Sequence, residues 1–168
     1  TAFDTLFEHW VDGVPIELIR PAPLVGRYKP RGATALLDAV GNTINNMKAD
    51  VKGKDKAIVV IMTDGYENAS QEYTRDQIKK LITSLAKKNW TFIFLGANID
   101  SFAEANRFGI PWGNTASYSY GVGTVNAFKS LGAVTSTLSS STRGSTATAF
   151  SDAEQSQNYV EGEENGNK

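Results

Sequence analysis

The chain has 168 residues, contains no cysteine, and carries 17 basic against 18 acidic side chains, for a formal net charge of −1. This length suffices for one domain with its own core, and the absence of cysteine excludes disulfide bonds and thiolate metal ligands. Basic residues form no stripe with interleaved aromatics, and no apolar run approaches the ~20 residues of a membrane span. We therefore expect neither nucleic acid nor a membrane as a partner.

The first 32 residues contain two short apolar pieces that predict strands. These are Phe3-Asp4 and the segment from Ile16 to Ile19. Asp12-Gly13 lies between them and is a dipeptide typical of tight hairpin turns. Pro30-Arg31-Gly32 then breaks the pattern. The sequence thus predicts a hairpin ahead of the main domain elements.

Two amphipathic helices are predicted in the middle of the chain. The first runs from about Thr34 to Lys48, where apolar residues recur at helical spacing. The second carries Thr74 and Gln77 at the spacing of a capping box at its start. One face of the second helix is formed by Ile78, Leu81, Ile82, Leu85 and Ala86.

Two apolar runs predict buried strands, Ala57 to Met62 and Thr91 to Gly96. A strand that is apolar on both sides has to be covered on both faces, as in a parallel sheet wrapped by helices. The first run leads directly into Thr63-Asp64-Gly65, and ligands bind at the carboxyl ends of such strands. Asp64 is therefore a candidate binding residue. The alternative is that Asp64 only stabilises the turn, since Asp-Gly is common in turns.

The remaining elements complete an α/β pattern. A short helix begins at Asp100 or Ser101 and ends at Phe108-Gly109, and a weaker helix covers Val125 to Leu138. Alternating helices and strands predict a doubly wound, mostly parallel sheet with helices on both faces. We assign residues 1–138 to this domain. Residues 139–168 are rich in Ser, Thr, Gly, Asn and Glu, and we predict a flexible tail there.

Three segments together carry a resemblance to a known family. Thr63 to Ser70 reads Thr-Asp-Gly-x-Glu-Asn-Ala-Ser, and Phe92 to Asp100 reads Phe-Ile-Phe-Leu-Gly-Ala-Asn-Ile-Asp. With Gly32-Ala33-Thr34, these segments resemble the von Willebrand factor A domain, in a branch common in bacterial and phage genomes. The resemblance extends from about Phe3 to Gly109. It implies a Rossmann-like α/β fold and a protein-binding function.

The resemblance also implies a metal-ion-dependent adhesion site. In the family, Mg²⁺ is held by an Asp-x-Ser-x-Ser loop, a threonine and an aspartate, and an acidic group of a partner protein completes the coordination. Only Thr34 and Asp64 match that pattern here, with Gly32 and Gly65 shaping their loops. Because Mg²⁺ requires near-octahedral oxygen coordination, we expect weak or absent Mg²⁺ binding by this chain alone.

The chain contains no Asp-x-Ser-x-Ser motif. In the family this motif follows a strand in the middle of the sheet, and Thr1 matches a position in the next strand. The resemblance therefore implies that the domain is incomplete at its N-terminus. Since unpaired buried backbone groups are costly, we expect a missing N-terminal segment or a neighbouring chain to lie beside Ala57 to Met62.

Three functions remain open at this point. The first is a non-enzymatic protein-binding module with a partial metal site. The second is a structural or assembly protein, in a phage particle for example, whose metal site is vestigial. The third is a Mg²⁺-dependent hydrolase or phosphotransferase, which we disfavour because Tyr66 occupies the second position after Asp64, where such an enzyme needs a second aspartate. We expect no enzyme activity, and a location in the cytoplasm or in a virion.

Overall fold

The computed structural model describes residues 2–8, 13–18, 32–141, 149–151 and 155. Within these residues the chain is an α/β protein with a small antiparallel sheet and a three-stranded parallel sheet flanked by helices. The elements in chain order are β1 (Ala2–Phe3), β2 (Phe7–Glu8), α1 (Leu36–Asp50), β3 (Ala57–Thr63), α2 (Arg75–Ala86), β4 (Trp90–Ala97), α3 (Ser101–Phe108), β5 (Thr115–Tyr118) and α4 (Val122–Ser140). No helix in the described part of the chain is long and apolar enough to cross a membrane.

The N-terminal hairpin turns at residues 4–6 and differs from the predicted one, whose second strand was placed at residues 16–19. β1 pairs antiparallel with β2, and the connecting turn is held by Asp4, whose carboxylate accepts a hydrogen bond from the Leu6 N–H at 2.7 Å. The backbone carbonyl of Asp4 accepts a hydrogen bond from the Ala35 N–H at 2.7 Å. The hairpin is thereby fixed to the residues that precede α1.

The prediction of a strand at residues 16–19 is wrong, because Ile16–Leu18 forms a 3-10 helix. The Leu18 N–H donates to the Pro15 carbonyl at 2.9 Å, so the proline initiates a tight turn in place of an extended segment. Asp12 of the predicted Asp12-Gly13 turn lies outside the described residues.

The parallel sheet has the strand order β3-β4-β5. β3 and β4 pair from Ala57 opposite Trp90 to Thr63 opposite Gly96. β4 lies in the centre and is buried at every residue except Thr91, which explains its continuous apolar sequence. β5, Thr-Ala-Ser-Tyr, is short and polar, and the sequence did not indicate it.

Helices cover both faces of this sheet. On one face, side chains of α1, α2 and α3 pack against Val59 and Ile61 of β3 and against the aromatic residues of β4. On the other face, α4 packs through Ala127, Val134 and Leu138 against β4 and β5. The α/β class with parallel strands, predicted from the apolar runs, is confirmed.

The helix ends follow local sequence signals. Thr74 and Gln77 form the predicted capping box at the start of α2. α3 is capped by the Asp100 side chain and ends at Gly109, whose φ of 77° is in the left-handed region that glycine favours. α1 begins at Leu36, two residues later than predicted, without a side-chain cap of its own.

Three described residues of the predicted tail pack against the domain. Ala149, Phe150 and Gln155 are all buried. The Gln155 side-chain amide donates to the carbonyl oxygens of Trp112 at 2.8 Å and Thr115 at 2.9 Å. These residues therefore contribute to the core beside β5.

Candidate functional site

The two predicted ligands lie on adjoining segments at the carboxyl end of β3. Asp64 and Gly65 follow that strand directly, and Thr34 precedes α1. A Cβ atom at Gly65 would lie 2.9 Å from the Thr34 Oγ1 atom, so only glycine permits this approach. Asp64 is exposed and Thr34 is half-buried. The structure thus brings the predicted threonine loop and aspartate loop together at the surface.

Asn68 fixes the backbone of Thr34 from both sides. The Thr34 N–H donates to the Asn68 Oδ1 atom at 2.8 Å, and the Asn68 N–H donates to the Thr34 carbonyl at 3.1 Å. Reciprocal bonds of this kind hold the two loops in one relative position. Asn68 therefore positions Thr34 and leaves its hydroxyl directed toward Gly65.

Glu67 serves as the missing cap of α1. Its carboxylate accepts hydrogen bonds from the Leu37 N–H at 2.9 Å, from the Ala69 N–H at 3.0 Å, and from the N–H and hydroxyl of Ser70 at 2.8 and 2.7 Å. A carboxylate at a helix N-terminus also interacts favourably with the helix dipole. Partial burial raises the pKa of Glu67, but the N–H donors of Ser70 and Leu37 outweigh it and the pKa is lowered.

Asp38 of α1 connects the same two segments in the opposite direction, because here the side chain of α1 is the acceptor and the loop after β3 supplies the donors. Its carboxylate accepts hydrogen bonds from the N–H groups of Gln71 at 2.7 Å, Glu72 at 2.9 Å and Tyr73 at 2.9 Å. The Asp38 N–H in turn donates to the Ser70 hydroxyl at 3.1 Å. We call these bonds between residues 67–73 and the start of α1 the 67–73 clamp. The clamp fixes the start of α1 against the loop that follows β3.

Asp64 is hydrogen-bonded to a tyrosine. The Tyr120 hydroxyl donates to Asp64 Oδ2 at 2.9 Å, and the Tyr120 side chain is 63 % exposed. Burial, together with the negative charge of Asp64 and the neighbouring Tyr120, raises the pKa of Tyr118 to about 12. Both tyrosines come from the end of β5 and its following turn. The carboxyl ends of β3 and β5 thus contribute to one polar surface.

Tyr66 connects the two segments that carry the family resemblance. Its hydroxyl oxygen accepts a hydrogen bond from the Asp100 N–H at 2.9 Å. The Asp100 carboxylate accepts a bond from the Ala103 N–H at 3.0 Å and caps α3. Asp100 therefore has a structural role at this edge of the sheet.

The side-chain oxygens of Thr34 and Asp64 are of the type that binds Mg²⁺. A threonine hydroxyl and an aspartate carboxylate are hard oxygen ligands, which Mg²⁺ prefers, but they supply fewer than the six positions of an octahedral site. The described residues contain no group of three or more His, Cys, Asp or Glu side chains that could hold a metal ion. Gly32 has a φ of 83°, in the left-handed region that glycine favours. This conformation fits the loop-shaping role predicted for Gly32. Thr34 and Asp64 therefore form a partial set.

Sequence reasoning missed the two tyrosines and the role of Glu67. Tyr118 and Tyr120 belong to a short polar strand and its turn, where no periodicity marks them. Glu67 stands in the Thr63 to Ser70 segment, but its hydrogen bonds to α1 depend on contacts 30 residues away. No family model matches the chain, and no curated protein or solved structure matches it. The proposals below consequently rest on the residues and their geometry.

Proposed function

We propose that this domain is a non-enzymatic protein-binding module of the von Willebrand factor A type, with a doubly wound sheet and a partial metal-ion-dependent adhesion site at Thr34 and Asp64. The observation that supports this most is the close approach of the Thr34 hydroxyl to Gly65, beside an exposed Asp64. The 67–73 clamp and Asn68 hold both loops in place without using the side-chain oxygen of either proposed ligand. Such rigid support for two oxygen donors suits a binding site.

Thr34 and Asp64 would hold the cation, and Gly65 would let their loops approach. When bound, Mg²⁺ supplies an electrophilic centre to which a carboxylate of a partner protein can attach. Asp64 contributes its negative charge at the surface. The Tyr120 hydroxyl orients one carboxylate oxygen of Asp64, at 2.9 Å.

The neighbours of Asp64 support binding over catalysis. The Tyr120 hydroxyl donates a hydrogen bond to the Asp64 carboxylate, and burial together with the charge of Asp64 raises the pKa of Tyr118 to about 12, further from that of a base active near neutral pH. A protonated phenol does not act as a general base. We therefore keep the assignment as non-enzymatic.

A second candidate is a structural or assembly protein that uses the same fold as a scaffold, in the cytoplasm or in a virion. The hydrogen bond from Tyr120 favours it, because this bond satisfies part of the Asp64 carboxylate without a cation. In this candidate the metal site is vestigial and partners bind elsewhere on the domain.

Calorimetric titration with Mg²⁺ and with Mn²⁺ distinguishes these candidates. For the binding module we expect weak binding by the unmodified chain, loss of binding in Asp64→Asn, and retention in the control Asp76→Asn, which removes an exposed carboxylate at the start of α2. Absence of binding in all three folded proteins would favour the scaffold. Binding that survives Asp64→Asn would contradict the site.

A further inference from the structure

Asp64 lies in one row with Ala97 and Tyr118 across the sheet. β3 and β4 pair up to the residue before Asp64, and Ala97 of β4 is paired with Tyr118 of β5, so Asp64 falls at the level of Ala97. Met62, Ala97 and Tyr118 pack on the face that α4 covers, and the alternation of side chains along a strand puts Asp64 on the same face as Met62. Ala97 contributes only a methyl group, which leaves space between the Asp64 carboxylate and the Tyr118 ring.

The Tyr118 hydroxyl is buried beside this carboxylate and has no partner. Tyr118 is only 6 % exposed, and within the described part of the chain its hydroxyl makes no hydrogen bond. Burial, followed by the negative charge of Asp64, raises the pKa of Tyr118 to about 12, so the two groups are within electrostatic reach of each other. Buried hydroxyls normally have a hydrogen-bond partner. This one is available to a ligand that binds at Asp64.

The two carboxylate oxygens of Asp64 have different surroundings. Oδ2 accepts the hydrogen bond from the Tyr120 hydroxyl at 2.9 Å. Oδ1 accepts no hydrogen bond from the residues that the structure describes. Tyr120 therefore fixes the orientation of the carboxylate and leaves one oxygen to bind a ligand. It also occupies the oxygen that a cation bound to both carboxylate oxygens would need.

Oxygen atoms surround Asp64 from both faces of the sheet. Tyr118 and Tyr120 lie on the α4 side, and Thr34, which precedes α1, contacts the Gly65 position from the other side. Among the described residues, no basic side chain forms an ion pair with Asp64. One negative charge among uncharged hydroxyls suits a hydrated cation.

The arrangement favours a small cation that keeps its waters. Mg²⁺ requires near-octahedral geometry and retains several waters, whereas the larger Ca²⁺ takes more oxygen ligands and often both oxygens of a carboxylate. A carboxylate held by Tyr120 offers one oxygen, and the Tyr118 hydroxyl can accept a hydrogen bond from a water of the cation. Groups that hydrogen-bond to a metal ligand fix its orientation and raise metal affinity.

We propose that Tyr118 and Tyr120 are positioning residues of the cation site and make it selective for Mg²⁺ over Ca²⁺. Tyr120 restricts Asp64 to binding through one oxygen, and Tyr118 holds a water of the cation. The inference rests on the proposed function, because it requires a cation at Thr34 and Asp64. It extends the site to β5, beyond the segments that carry the family resemblance.

Titration of Tyr120→Phe with Mg²⁺ and with Ca²⁺ tests the selectivity. NMR shifts of the Thr34 and Gly65 amides report binding even when it is weak. We expect the affinity for Mg²⁺ to fall about tenfold. The preference for Mg²⁺ over Ca²⁺ should narrow, because Oδ2 of Asp64 becomes accessible. The control Thr137→Val removes an exposed hydroxyl near the opposite end of α4 and should change neither quantity.

Tyr118→Phe separates cation binding from stability. Because the Tyr118 hydroxyl is buried without a partner in the described part of the chain, its removal should leave the midpoint of urea unfolding unchanged or raise it. The same change should weaken Mg²⁺ binding about tenfold, because a water of the cation loses its acceptor. A tyrosine with only a structural role would show the reverse, a loss of stability with unchanged Mg²⁺ affinity.

Paramagnetic broadening by Mn²⁺ shows whether a cation binds at this position. The amide signals of Thr34, Asp64 and Gly65 and the ring signals of Tyr118 and Tyr120 should broaden first. Absence of broadening at the three amides would refute the proposed function and this inference with it. Broadening there, combined with unchanged Mg²⁺ affinity and unchanged selectivity in Tyr118→Phe and Tyr120→Phe, would refute this inference alone.

Discussion

The carboxyl end of β3 and the open edge of the same strand contrast in how their polar groups are satisfied. At the carboxyl end, the Glu67 side chain accepts a hydrogen bond from Leu37 of α1, the Asn68 side chain accepts one from Thr34, and Tyr120 donates to Asp64. Along the edge, the backbone groups of Ile58, Val60 and Met62 face away from β4. The first region is held by side chains of the chain itself, whereas no strand among the described residues pairs with the second.

The apolar residues of β3 and the polar residues that follow this strand have different roles. Polar residues after β3 stabilise the loops and leave Thr34 and Asp64 in fixed positions. The apolar residues within β3 pack on both faces of the sheet. Substitutions in the loops and substitutions in the strand should therefore change stability through different contacts.

The largest loss of stability is expected for Glu67→Ala. This change leaves the N–H groups of Leu37, Ala69 and Ser70 without their acceptor, and we expect the free energy of unfolding to fall by about 3 kcal/mol. Glu72→Ala is the matched control, since Glu72 accepts one exposed bond from Asn42 and should change stability by less than about 0.5 kcal/mol. Urea unfolding of both variants measures the difference; equal losses would refute a clamp centred on Glu67.

The pH dependence of the Glu67 hydrogen bonds follows from the direction of the Glu67 pKa shift. Hydrogen-bond donors lower the pKa of Glu67 below its ordinary value of 4.5 in the folded chain. The stabilisation is therefore present above that value and is lost as the pH falls through the lower folded pKa. Glu67→Gln should remove this part of the acid dependence, so that the stability difference from the unmodified chain narrows below pH 4.5. A stability difference between Glu67→Gln and the unmodified chain that stays constant down to acid pH would contradict this prediction.

A smaller effect is expected for Gly65→Ala, which tests the contact between the two loops. The added Cβ would lie 2.9 Å from the Thr34 Oγ1 atom, and overpacking of this kind costs about 1–2 kcal/mol. Combining it with Thr34→Ala removes the atom in conflict and should recover most of the loss. Gly53→Ala is the control, because no atom lies within 4 Å of its Cβ position. If the stability losses of Gly65→Ala and Thr34→Ala simply add in the double variant, the strain of Gly65→Ala does not come from its contact with Thr34.

Much of the fold could be predicted because its signals are local. The apolar runs of β3 and β4 and the Thr74 capping box depend on residues close in sequence, and the structure has them within one or two residues of the predicted ends. Asp64 was a candidate because ligands bind at the carboxyl ends of parallel strands, whereas Thr34 was assigned from the family resemblance. Their close approach then depended on Gly65, a turn residue visible in the sequence.

The rest depended on contacts that no short pattern records. β5 is polar and pairs only because β4 presents a free edge, and Tyr120 reaches Asp64 across 56 positions of sequence. Ile16–Leu18 was mistaken for a strand because its apolar residues outweighed the turn signal of Pro15. The direction of each backbone group along β3 required the register with β4.

Residue-resolved amide hydrogen exchange of β3 tests the contrast within this strand most directly. In dilute solution, the amides of Val59 and Ile61, which bond to β4, should exchange slowly, while those of Ile58, Val60 and Met62 should exchange fast. Slow exchange of Ile58, Val60 and Met62 would show that another segment pairs with this side of β3 and would contradict the contrast.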